Sequence, residues 1–262
     1  MKLAVTGKGG VGKTTLSALL AGVFAREGQR VIAIDANPDA NLASALGLPA
    51  EVSARIVPIA EMADLIEERT GSRPGRSGGF FRLNPRVDDI PERFSARKDS
   101  IWLLVMGTVK RGGGGCLCSE SALLSALLQH LLIQRDEVVV LDMDAGVEHL
   151  GRATAQYVDA IIIVVEPGQR SLQTAASVRK LALDLGITRC LVAGSKTRNE
   201  AQRRFIQENT PPGELLGFIN YHRELAQADL QGKGVFEASP QAVQEAMQIK
   251  DRLEALIGGG GE

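Results

Sequence analysis

Short apolar runs alternate along this chain with longer stretches in which apolar residues recur at helical spacing. Residues 2–6, 30–35, 101–106, 137–142, 160–165, 189–193 and 215–219 read as strands. Val138-Val139-Val140-Leu141 and Ile161-Ile162-Ile163-Val164-Val165 show no polar alternation, which marks strands covered on both faces. Helices are predicted over 13–27, closed by Gly28, and over 119–135, 171–185, 200–208 and 240–257. Strand and helix in alternation predict an α/β fold, a mostly parallel sheet flanked by helices on both faces. Two stretches break the rhythm. Residues 49–100 are polar in places and rich in Arg, Pro and Gly. They read as a surface excursion with a helix near 59–69, within one domain spanning 1–262. Residues 110–119 are a glycine run carrying two cysteines, and 258–261 read as a flexible end.

Composition narrows the class. The chain has 262 residues, 44% hydrophobic and 23% charged, the balance of a soluble globular protein with a sizeable core. A net charge of −1 gives no broad electrostatic claim on nucleic acid or anionic lipid, so neither is expected as a partner. No apolar run reaches the roughly 18–20 residues that span a bilayer. The N-terminus runs straight into the first motif, which leaves no room for a signal peptide. Three cysteines, two of them one residue apart, exclude a disulfide scaffold, and a cytoplasmic location is expected.

The chemistry begins at Gly7-Lys8-Gly9-Gly10-Val11-Gly12-Lys13-Thr14, which fits G-x-x-x-x-G-K-[ST] between a predicted strand and a predicted helix. Glycines let backbone N–H groups turn inward around phosphates, and the helix N-terminus adds partial positive charge. Gly9, Gly10, Val11, Gly12, Lys13, Thr14 and Thr15 are the expected phosphate-site residues. Lys13 would reach the β and γ phosphates, and Thr14 would coordinate magnesium. Asp142 ends the buried run 138–141, the position from which a carboxylate holds magnesium in this class of site.

A second lysine, Lys8, opens the loop. Lys-Gly-Gly-Val-Gly-Lys-Thr resembles the deviant Walker P-loop ATPases. That resemblance implies ATP with magnesium, a homodimer, and a Lys8 that crosses the interface to the partner's nucleotide. It implies catalytic parts for Lys8 and Lys13, and a γ-phosphate-sensing switch at Gly146, within Asp142-Met143-Asp144-Ala145-Gly146. It also places Asn37 and Asp39, in Asp35-Ala36-Asn37-Pro38-Asp39, beside the attacking water. Three positions depart from the family pattern. Asn37 stands where aspartate is usual, so hydrolysis is expected to be slow. The usual Asn-Lys base contact appears as Ser195-Lys196, and a usual proline appears as Asn220.

Cys116 and Cys118 follow the run Gly112-Gly113-Gly114-Gly115. In extended chain, residues two apart point the same way, so two thiolates can face one soft cation. Two ligands do not close a tetrahedral site, but a two-fold dimer supplies the other pair. A redox pair and an accident of sequence remain alternative readings. With the segments 2–15, 35–42, 83–88, 106–118, 142–152 and 165–167, the pair resembles the ATPases that mature carbon monoxide dehydrogenase by nickel insertion, the CooC type. This likeness implies a nickel or zinc ion bridging the dimer through Cys116 and Cys118, with carbon monoxide dehydrogenase as client. Two other readings stand beside it: a positioning or partitioning ATPase of the Min/Par type, and an iron–sulfur reductase resembling the nitrogenase iron protein. The first needs a basic amphipathic tail, and residues 251–257 are mixed in charge. The second places its cluster cysteines singly, far apart in sequence.

Overall fold

Eight strands make one sheet in the computed structural model, which describes residues 1–74, 80–107, 118–147, 150 and 152–258. They are β1 (Lys2–Gly7), β2 (Val31–Asp35), β3 (Ala96–Lys98), β4 (Ile101–Val105), β5 (Val138–Asp142), β6 (Ala160–Val165), β7 (Cys190–Thr197) and β8 (Leu215–Asn220). Their order is β3-β4-β2-β5-β1-β6-β7-β8, and every pair is parallel except β3 with β4. The helices of eight or more residues are α1 (Lys13–Arg26), α2 (Ala63–Thr70), α3 (Ser119–Ile133), α4 (Gln169–Asp184), α5 (Glu200–Glu208), α6 (Arg223–Gln231) and α7 (Pro240–Gly258).

The uninterrupted apolar runs divide between two cores because successive strand residues face opposite ways. On β5, Val138 and Val140 join one core, and Val139 and Leu141 the other. On β6, Ile162 and Val164 alternate in the same manner with Ile161 and Ile163. The first core is closed by α1, through Leu16, Leu19, Leu20, Val23 and Phe24, and by α7, through Val243, Ala246, Ile249 and Leu253. Leu123, Leu127 and Leu131 of α3 help close the second, with Leu65 and Ile66 of α2.

Several elements differ from the sequence expectation. The strand β3 is new. Its three residues pair only with β4 and place Arg97 and Lys98 on the sheet's edge, where charge discourages pairing with other chains. Helix α6 is also new, its short polar run having no clear apolar stripe. Strand β7 extends to Thr197 instead of ending at residue 193, because a register shift between Ser195 and Thr197 admits Lys196 at φ +54° as an extra residue. Within 49–100 the expected helix divides into a 3-10 turn, Ile59–Glu61, and α2. Ile59, Val87 and Ile90 also pack into the second core. Of the glycine run with the paired cysteines, 110–119, only Cys118 and Ser119 lie among the described residues.

A parallel sheet puts all its strand C-termini on one edge, where ligands of open α/β folds bind. That edge gathers the loop after β1, Asp35 after β2, Asp142 after β5, Glu166 after β6 and the Ser195–Thr197 bulge on β7.

Candidate functional site

The loop after β1 closes tightly on its neighbours. A side chain at Gly7 would meet the Val164 carbonyl at 2.5 Å, so β1 can lie against β6 there only without one. Gly12 precedes α1 at φ +98°, in the left-handed region, with Ser195 Oγ 3.0 Å from where a Cβ would sit. Lys13 is buried; its Nζ donates to the Lys8 carbonyl at 3.4 Å and lies 3.9 Å from Asp144 Oδ1. Gly9, Gly10, Gly12, Lys13, Thr14 and Thr15 line a cleft of about 980 Å³, large enough for a nucleotide. Val11 turns into the core.

Below the loop lie two carboxylates without solvent exposure, Asp35 and Asp142, which the register of β2 and β5 places opposite each other. Asp142 accepts from Thr14 Oγ1 at 2.7 Å and Ser17 Oγ at 3.2 Å. Asp35 accepts from the Leu42 N–H at 2.9 Å and the Asn37 N–H at 3.0 Å. The Asn37 amide joins the pair, donating to Asp35 Oδ1 at 3.1 Å and Asp142 Oδ2 at 3.0 Å. Burial pushes the Asp142 carboxyl up to about 7; the Thr14 hydroxyl opposes the rise, the Asp35 charge adds to it, and Ser17 and Lys13 oppose it. Asp35 is also raised by burial, against the Leu42 and Asn37 N–H groups. Thr14 and Asp142 are hard oxygen donors that meet at the cleft, and a divalent cation there would offset the buried charge. The residues therefore fit magnesium.

The other candidates take definite places. Asp39 is exposed on the cleft wall. Gly146 is buried under the loop, its N–H shared between the Asp144 carbonyl at 2.8 Å and Thr6 Oγ1 at 3.2 Å. Lys8 pairs with Glu166 of its own chain at 3.1 Å. Lys196 reaches back from the β7 bulge to the Gly10 carbonyl. The Asn220 side chain is committed to structure. Its Oδ1 accepts from Thr197 at 2.7 Å and from Arg203, and its Nδ2 donates to Glu245. Cys190 is buried in β7.

Cys116 lies outside the described residues. Cys118 is half-buried in extended conformation at the start of α3, its Sγ 3.2 Å from Ser121 Oγ. Among the described residues no three His, Cys, Asp or Glu side chains gather as a metal site. Sequence reasoning missed Asp35, although its signal matches that of Asp142: a carboxylate ending the apolar run Val31-Ile32-Ala33-Ile34. It also missed Ser17, one helical turn beyond Thr14, and the far end of the cleft. There Arg198 stacks on Tyr221 at 3.8 Å and His222 lies 2.8 Å from Glu245.

The family described as the CobQ/CobB/MinD/ParA nucleotide binding domain matches residues 2–235. The chain belongs to this family. As an ATPase of the CobQ/CobB/MinD/ParA family it has close relatives of known sequence. It is 47% identical over 258 residues to the carbon monoxide dehydrogenase accessory protein CooC of Rhodospirillum rubrum, covering 98% of each chain. It is 46% identical over 238 residues to an uncharacterised ATP-binding protein of Methanocaldococcus jannaschii, covering 90% of this chain and 91% of that one. Among solved structures, the MinC:MinD cell division complex of Aquifex aeolicus superposes with a TM-score of 0.68 at 23% identity, over 97% of this chain and 96% of that one. A ParA family ATPase of Chlorobium tepidum gives 0.65 at 17% identity, over 97% and 98%. These two likenesses concern the fold.

The buried carboxylates have a pH signature. The Asp142 carboxyl titrates near its ordinary 3.8 when unfolded and about 7 when folded, so it favours the folded state below 3.8 and loses that contribution as pH rises through 7. In metal- and nucleotide-free protein, denaturant unfolding should show wild type losing stability between pH 5 and 8 relative to Asp142→Asn. In that variant the amide oxygen can still accept from Thr14 and Asn37. A stability difference independent of pH would refute the buried-charge account.

Asn37→Asp exchanges the amide between two carboxylates for a third carboxylate. Melting of the nucleotide-free variant should occur below that of wild type, while ATP turnover should rise if residue 37 faces the attacking water, as the Walker resemblance implies. Unchanged turnover, measured by phosphate release, would assign that work to Asp39 or another group.

Proposed function

We propose that the chain is an ATP-driven metal-delivery factor that works as a homodimer in the maturation of carbon monoxide dehydrogenase. The observation that carries this reading is full-length likeness to CooC: 47% identity over 98% of both chains. In this reading Lys13 and the loop N–H groups hold the β and γ phosphates. Thr14 and Asp142 hold magnesium, which neutralises charge on the phosphates when bound. Asp39 and Asn37 flank the attacking water, Gly146 follows the γ-phosphate, and Ser195 and Lys196 border the nucleotide at the loop. Lys8 enters from the partner subunit as a cationic finger.

The cargo is nickel or zinc, held as substrate by Cys116 and Cys118 of both subunits. Cys118 stands half-buried at the N-cap of α3, two residues after Cys116 in sequence. Nucleotide state controls delivery only if the open and closed dimers differ in metal affinity. A reducing cytoplasm keeps the thiols free. A Min/Par role is less well supported. The apolar face of α7 already packs in the first core, and its Lys250 is tied to Glu27, Asp251 and Glu254. A membrane tether needs a free amphipathic helix. No helix among the described residues is long and apolar enough to cross a membrane.

Two experiments test the parts. Lys8→Ala and Lys13→Ala chains should each be inactive alone and recover part of the turnover when mixed, because one mixed site holds both lysines. Absence of recovery in demonstrated mixed dimers excludes action across the interface. Wild type should bind about one soft metal ion per dimer, with affinity falling as pH falls and the thiolates protonate. Cys118→Ser removes two of the four ligands by symmetry, so equilibrium dialysis should show binding lost outright while ATP turnover largely survives. Tight binding by a monomer would overturn the bridging site.

A further inference from the structure

Lys8 and Glu166 face one another for a reason of register. Strands β1 and β6 run parallel with Gly7 opposite Val164, so the first residue after β1 emerges beside the end of β6. The Lys8 ammonium then meets Glu166 Oε1 at 3.1 Å. Both side chains are about one-third exposed, at 37% and 30%. The carboxylate hangs from a fixed point. Its backbone N–H donates at 3.2 Å to Ser171 Oγ, and Ser171 is buried in the first turn of α4. Glu166 also lines the nucleotide cleft. An acid on a wall that faces phosphates weakens their binding unless a cation accompanies it.

This arrangement conflicts with the work proposed for Lys8. To touch the nucleotide of a second copy, Lys8 must leave Glu166, and the carboxylate is then left without its cation on the cleft wall. We propose that Glu166 is the positioning residue for Lys8, holding it on its own subunit and opposing its transfer across the dimer. The proposal rests on the reading of Lys8 as a finger acting in trans. Glu166 thereby sets how readily the ATP-bound dimer closes. The pair is partly exposed, so its restraint is small, a shift of no more than about five-fold in an equilibrium.

The test is a double-mutant cycle in the full-length protein: wild type, Lys8→Ala, Glu166→Gln and the double variant, with Glu166→Asp as the charge-keeping control. The ATP-dependent dimer fraction is read by sedimentation velocity, and kcat and KM by phosphate release, with thermal melts verifying the fold. Glu166→Gln should raise dimer fraction and kcat by up to about five-fold where Lys8 is present, and leave the dimer fraction unchanged in the Lys8→Ala background, which has no turnover to read. Glu166→Asp should stay near wild type. A gain in nucleotide affinity alone, measured by titration with a fluorescent ATP analogue and equal in both backgrounds, would show a carboxylate that merely repels nucleotide and would overturn the proposal. So would no change on Glu166→Gln. Failure of the underlying reading looks different: Lys8→Ala would then turn over ATP at the wild-type rate, whatever Glu166→Gln does.

Discussion

Two carboxylates buried side by side are the constraint around which this edge of the sheet is organised. Asp35 and Asp142 oppose each other at the ends of β2 and β5, and neither is exposed. Like charges that close in a low dielectric raise one another's proton affinity, and leaving them without donors costs more than most single contacts return. The surrounding chain supplies those donors. Thr14 and Ser17 come from the first turns of α1, the Leu42 N–H from the turn beyond β2, and the Asn37 amide lies between the two acids. Asparagine at 37 thus has a physical role that aspartate cannot fill while ionised. It donates to both acids at once.

The two motif lysines show how the same edge is held ready for an anion. Lys13 lies 3.9 Å from Asp144 and donates to the Lys8 carbonyl at 3.4 Å, and Lys8 sits on Glu166. These contacts are long or partly exposed, and such pairs contribute about 0–1 kcal/mol each. A hydrogen bond to a charged phosphate contributes about 1.5–3 kcal/mol. Exchange of the first kind for the second favours nucleotide. It also frees Asp144, two residues before Gly146, whose place is fixed by Thr6 of β1. A change of partner at Lys13 is therefore felt in the segment after β5 without any long lever.

Much of this was legible in the sequence because the strongest signals are local. The strand, glycine loop, lysine and helix at residues 2–26 specify one another within a single supersecondary unit, and the apolar runs of β5 and β6 announce a parallel sheet. What escaped reading depends on distant partners. Strand β3 forms only because Trp102 and its neighbours on β4 offer an edge, with Arg97 stacked over the Trp102 ring at 4.3 Å. Lys196 gave no sign that a bulge would aim it at the Gly10 carbonyl. Asn220 looked like a departure at a base-binding position, yet it holds together Thr197, Arg203 and Glu245. Glu166 meets Lys8 only through the β1–β6 register.

Asp35 also anchors the chain where it leaves β4. Its side chain is bound by Asn37, and its backbone carbonyl accepts the Met106 N–H at 2.8 Å, where the chain leaves β4 toward the glycine run. The Met106 carbonyl in turn accepts the Ala60 N–H at 3.0 Å, and Gly107 packs against Pro58 closely enough that a Cβ would lie 2.7 Å away. The far end of the segment is held as firmly. Cys118 accepts through its carbonyl from the Ala122 N–H at 3.1 Å, on a helix whose Leu123 and Leu127 are buried in the second core. Both ends of the stretch are therefore anchored, one of them on the residue that shares Asn37 with Asp142. Coupling between two sites needs an element whose arrangement both of them bias. The turn after β2 touches both neighbours, since Asn37 donates to Asp142 and the Asp35 carbonyl accepts from Met106. Among the described residues, Met106 and Cys118 are joined through β4 and the second core, where Leu104 packs with Leu123 and Leu127.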